Sequence, residues 1–168
     1  MPVLVQALVG QAWQPLQGNF FKLNFDKVCF DNGVALGYSA IVRNGNDEVM
    51  AAISAKGGAV KDSEEVEVMA CRKALELAIN VGFMEVILEG DNAMVMKKIS
   101  QAQPNFSRVG LIYEDIWCLD VGFRSISVNC IRRSVNNISR PFNNEIIWIE
   151  ENSPPIMDAL YLESSILY

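Results

Sequence analysis

Three acidic residues, Asp26, Glu67 and Asp91, stand where a carboxylate is out of keeping with its neighbours. Asp26 closes a run that alternates apolar and polar residues, and Asp91 follows a short apolar run after Gly90. Open α/β sheets place ligand chemistry at the carboxyl ends of central strands. Each aspartate also has a plain alternative: Asp26 starts a turn, and Asp91 caps the helix that begins at Asn92. Glu67 is harder to explain that way. At about 100° per residue, Glu65, Arg72, Glu76 and Asn80 gather on one side of their helix. Glu67 falls roughly opposite, in line with Ala70, Cys71, Ala74 and Ala78, small residues suited to close packing on a sheet. A carboxylate on that stripe is costly unless it is paired, hydrogen-bonded or bound to a cation. The helix dipole favours a first-turn glutamate, which accounts for its position along the helix but not for its face.

Composition narrows the chemistry further. The chain has 168 residues and no histidine, which removes every Ser-His or Cys-His nucleophile and any imidazole acid/base step. Catalysis here must rest on carboxylates, with a metal ion as their natural partner. Cys29, Cys71, Cys118 and Cys130 form no CxxC pair and have apolar neighbours. That disfavours a zinc site and fits reduced thiols in an intracellular compartment, cytoplasm or nucleus. The net charge of −6 opposes strong non-specific binding to nucleic acid, which needs clustered Lys and Arg. An enzyme that holds a cation on carboxylates can nevertheless be acidic overall. No apolar run approaches the roughly 18 residues of a membrane span. The mildly apolar start lacks a basic region before it, so it reads as a leader over 1–12 rather than a signal peptide, with one domain over 13–168.

The elements that must position the three carboxylates follow in order. Residues 20–26 alternate as a strand, and strand-like runs over 33–43 and 48–54 flank Asn44-Gly45, a hairpin turn signal. Asp62 with Glu65 forms a capping box for a helix that ends at Gly82. Residues 85–89 read as a central strand covered on both faces. Helices over 92–100 and 108–119 flank Pro104, and 123–133 returns to alternation, with Ile126, Val128 and Cys130 on one face. Three strands, a helix, a strand and further helices make a mixed-sheet α/β pattern. The proline-containing segment after Pro141 resists assignment.

At these positions the sequence resembles the ribonuclease H family, and most closely the plant reverse-transcriptase-like ribonuclease H domains. The matching stretches are Trp13-Gln14-Pro15, Lys22-Leu23-Asn24-Phe25-Asp26 and Gly37-Tyr38-Ser39-Ala40-Ile41-Val42-Arg43-Asn44. They continue with Glu67-Val68-Met69-Ala70, Glu89-Gly90-Asp91-Asn92, and Trp148-Ile149-Glu150-Glu151 with Pro154-Pro155. The resemblance implies a ribonuclease H-like fold, a five-stranded mixed sheet with an antiparallel meander followed by parallel strands, flanked by helices. It also implies a carboxylate cluster that holds two magnesium ions and cuts the RNA strand of RNA–DNA hybrids. Asp26, Glu67 and Asp91 match the first three family carboxylates, as catalytic residues and metal ligands.

The departures from the family pattern bear on activity. Arg140 occupies the position of the fourth acid, Pro141 should disturb the helix that follows it, and Glu145 is the nearest acid. Lys27 replaces the family's glycine after the first aspartate, where it could pair with Asp26, reach a phosphate, or simply sit in water. Arg124, Arg132, Arg133 and Arg140 are candidates for phosphate contacts, or a scatter of surface arginines. Two readings follow. One is an attenuated magnesium-dependent ribonuclease on RNA–DNA hybrids, using two ions, one or none. The other is a non-catalytic nucleic-acid-binding or protein-interaction domain that kept the fold.

Overall fold

The computed structural model describes residues 20–30, 35–57, 62–133 and 146–149. The expected boundary between a leader and a domain falls on residues outside this set, as do Arg140, Pro141 and Glu145.

The first three strands, β1 (Phe21–Phe30), β2 (Ala35–Arg43) and β3 (Val49–Lys56), form the expected antiparallel meander. Asn44 holds the β2–β3 turn by accepting the Asn46 and Glu48 N–H groups at 2.9 and 3.0 Å. Helix α1 (Ser63–Val81) then leads to β4 (Glu85–Gly90), α2 (Ala93–Gln101), α3 (Arg108–Leu119) and β5 (Ser125–Cys130). Both β1–β4 and β4–β5 are parallel. The five expected strands therefore lie side by side as β3-β2-β1-β4-β5. A short sixth strand, β6 (Ile146–Ile149), pairs antiparallel with the outer edge of β3, from Ala51↔Ile149 to Ser54↔Ile146. Four consecutive apolar residues carry too little periodicity to reveal that strand in advance.

The core forms where α1 lies on the sheet. Ala70, Cys71, Ala74 and Ala78 are fully buried against Leu23, Phe25, Ala40 and Leu88, so the small-residue stripe does bring helix and sheet close together. Helix α3 adds Ile112, Tyr113 and Ile116. Glu64 joins the helices, accepting Lys98 Nζ at 2.6 Å and Tyr113 Oη at 3.0 Å.

One local expectation needs correction. Asp62 does cap α1, but it accepts the Glu64 N–H at 3.0 Å, and Glu65 does not complete a capping box. Glu65 is buried and pairs instead with Arg108 Nε at 2.8 Å, because α3 lies along that flank of α1. On β1, the polar positions Lys22 and Asn24 are also buried. Asn24 donates to Glu89 at 3.0 Å and accepts from Arg43 at 3.1 Å, so this central strand carries a satisfied polar network opposite the apolar core.

Candidate metal centre

The β1–β4 pairing ends at Asn24↔Glu89, whereas β1 runs on alongside β2 to Phe30. β4 stops at Gly90, and the two parallel strands part at their carboxyl ends. Asp26 lies just past the last β1–β4 pair, and Asp91 just past the end of β4. The glycine that ends β4 is required by packing: a Cβ on Gly90 would lie 2.7 Å from Met96 Sδ and 2.8 Å from Phe25 Cζ.

Asp91 does not cap α2. Asn92 is the cap, accepting the Val95 N–H at 3.2 Å. Nor does Asp26 end its strand, since it pairs with Ser39 well inside the β1–β2 ladder. Glu67, one turn into α1, is 1% exposed. Asp26, Glu67 and Asp91 each present a carboxylate oxygen to one place, with these atoms within 4.8 Å of one another. Burial first, and then the charges of Asp26 and Asp91, push the Glu67 carboxyl up to about 7. Burial, followed by the Asp91 charge, also raises Asp26. The Lys27 backbone hydrogen-bonds both Asp26 and Glu67 and partly offsets these shifts. Its ammonium donates to Ser63 Oγ at the start of α1, a contact that none of the sequence alternatives for Lys27 included.

A divalent cation fits these residues. Two carboxylate oxygens, Glu67 Oε1 and Asp91 Oδ1, are buried with no hydrogen-bond partner. Orphaned acceptors of that kind call for a proton or an ion. The donors are all hard oxygens, the type magnesium prefers. Like charges this close repel by about 4 kcal/mol per pair at an effective dielectric near 20, so the cluster cannot stay fully ionised without a counter-charge.

The arginines fall into separate places. Arg124 pairs with Glu85 at 3.2 Å at the start of β4, about 20 Å along the chain direction from Asp91. Arg132 and Arg133 are exposed just beyond the end of β5. Arg133 Nε lies 3.2 Å from Asp91 Oδ2, an ion pair that no sequence pattern announced. It arises because β4 and β5 end together, at Gly90↔Cys130.

The reverse transcriptase-like family model matches residues 24–145, well over half of the chain. Among solved structures, ribonuclease H1 from the archaeon Halobacterium salinarum is 22% identical, with a TM-score of 0.62, over 70% of this chain and 89% of that one. The N-terminal ribonuclease H domain of a Mycobacterium tuberculosis protein is 21% identical, with a TM-score of 0.61, over 70% and 90%. LC11-RNase H1, solved in complex with an RNA/DNA hybrid, is 16% identical, with a TM-score of 0.60, over 69% and 88%. Comparison with curated protein sequences finds no significant match. These likenesses agree with the strand order and helix placement described above. The chain belongs to the reverse transcriptase-like family and carries the ribonuclease H fold.

Proposed function

We propose that this domain binds nucleic acid across the carboxyl ends of β1 and β4 and hydrolyses the RNA strand of RNA–DNA hybrids in a magnesium-dependent reaction. The observation that carries this reading is the convergence of Asp26, Glu67 and Asp91, with two of their oxygens buried and unpartnered. The hybrid bound by the similarly folded LC11-RNase H1 supports the choice of substrate class. Asp26 and Asp91 would ligate magnesium, and Glu67 would complete the ligand set. Magnesium supplies an activated water and a charge that stabilises the leaving oxygen. Glu67 would also accept a hydrogen bond from the attacking water, since its Oε1 is buried with no partner. Arg133 and its neighbour Arg132 would contact a phosphate next to the cut, and Arg124 would contact one further along the sheet edge. A reducing, intracellular setting belongs to the same reading, supported by the free thiols Cys71, Cys118 and Cys130.

The rate would be attenuated, because Arg140 brings a permanent positive charge to the family's fourth acidic position. Single-turnover cleavage of a labelled RNA–DNA hybrid, with duplex DNA as control, tests the reading. Slow magnesium-dependent cutting that Asp91→Asn abolishes and Arg140→Asp accelerates is the expected result. Cutting that survives Asp91→Asn, or an Arg140→Asp protein that binds magnesium yet remains inert, contradicts it. A second reading, a non-catalytic nucleic-acid-binding or protein-interaction domain, is favoured by one observation: Arg133 already neutralises Asp91.

A further inference from the structure

The two oxygens of Asp91 have different surroundings. Oδ1 is buried without a partner, and Oδ2 faces Arg133 Nε at 3.2 Å. The Asp91 side chain is 1% exposed while that of Arg133 is 83% exposed, so the pair joins a fixed carboxylate to a guanidinium largely in water. The Arg133 backbone is held within reach, since Ile131 N–H bonds to Gly90 O at 2.9 Å just before Asp91. Among the described residues, the Asp91 contact alone restrains the arginine side chain beyond Ile131. A guanidinium offers five N–H donors, and the Asp91 contact uses one.

We infer that Arg133 is a latch on the metal centre: it neutralises Asp91 while the carboxylate cluster holds no ion, and releases it to a substrate phosphate when the cluster does. The inference rests on reading Asp26, Glu67 and Asp91 as a cation site. An ion pair with one partner in water is weak and readily exchanged, and a divalent charge among the carboxylates removes most of the attraction that Asp91 exerts on the arginine. The freed guanidinium is then both unpaired and beside the centre, and its planar fork suits a phosphate. Magnesium binding and substrate binding are thereby coupled through one side chain. The ion must displace Arg133, and a phosphate that captures Arg133 removes the ion's competitor. By linkage, each ligand strengthens the other.

Calorimetric titration of magnesium into the full chain tests this without any turnover. Arg133→Gln should bind magnesium about three- to tenfold more tightly than the native protein, the range expected for losing one partly screened competing charge. Arg133→Lys, which keeps the charge, should bind with near-native affinity. In the native protein, the Arg133 Nε–H resonance should move toward the value of a solvated arginine as magnesium is added. Equal or weaker binding by Arg133→Gln, or an Arg133 resonance that magnesium leaves unmoved, overturns the latch alone. No binding by the native protein or by either variant overturns the cation site together with the latch.

Discussion

Asn92 caps α2 with its own side chain, and Asp91 directly before it is thereby left to face Glu67 and Asp26. Under the proposed function these two adjacent polar residues divide a structural and a chemical task, and substitution should separate them. Asn92→Ala should cost about 1 kcal/mol of stability and preserve the rise in melting temperature expected on adding magnesium. Asp91→Asn should change cation-free stability little and abolish that rise. Urea and thermal melts with and without millimolar magnesium read both. A magnesium response that survives Asp91→Asn contradicts the assignment.

The buried Glu67 carboxyl makes stability depend on pH in a direction that can be worked out. Its folded pKa of about 7 lies above its ordinary value of 4.5, and that of Asp26 is also raised. A group raised on folding favours the native state most below its ordinary value, and this contribution is lost as the pH climbs through the folded value. The cation-free protein should therefore lose stability between about pH 4.5 and pH 7, on the order of 2–3 kcal/mol. Glu67→Gln should flatten this decline and be the more stable protein at pH 8. Urea melts across the range check the slope, and a profile unchanged in Glu67→Gln rules out Glu67 as its source.

Gly90 sets the approach of β4 to the helical layer. Because a Cβ there meets Met96 and Phe25 at under 3 Å, Gly90→Ala should cost about 1–3 kcal/mol by overpacking. The strain falls beside Asp91, so magnesium affinity should weaken as well. Loss of affinity without loss of stability would show that packing is not the cause.

Much of this arrangement was legible because its causes are local. The ends of α1 follow from Asp62 and from Gly82, which takes the left-handed conformation that glycine tolerates. The face of Glu67 follows from helical periodicity, and its burial among Ala70, Cys71 and Ala74 is what that periodicity requires. The rest depends on contacts distant in sequence. Glu65 looked like part of a capping box, and only the position of Arg108 on α3 explains why it is not. The pairing of β6 depends on the free edge of β3, which four apolar residues cannot reveal. The Arg133–Asp91 pair spans 42 residues and exists because β4 and β5 end in register.

Tyr113→Phe serves as a control outside the centre. The phenol donates to Glu64, which also holds Lys98, so its loss should cost about 0.5–1.5 kcal/mol. Magnesium affinity should remain native. A change in affinity would mean that the helical layer, rather than the three carboxylates alone, governs the site.

The proposed function requires that Asp26, Glu67 and Asp91 together bind one divalent cation. Anomalous diffraction from crystals soaked in manganese, a stand-in for magnesium, tests it most directly. The expected result is a peak bonded to oxygens of all three residues at about 2.1 Å, reached by small side-chain rotations. That peak should be absent from Asp91→Asn crystals treated alike. No peak at the carboxylates at millimolar manganese, or a peak that survives Asp91→Asn unchanged, contradicts it.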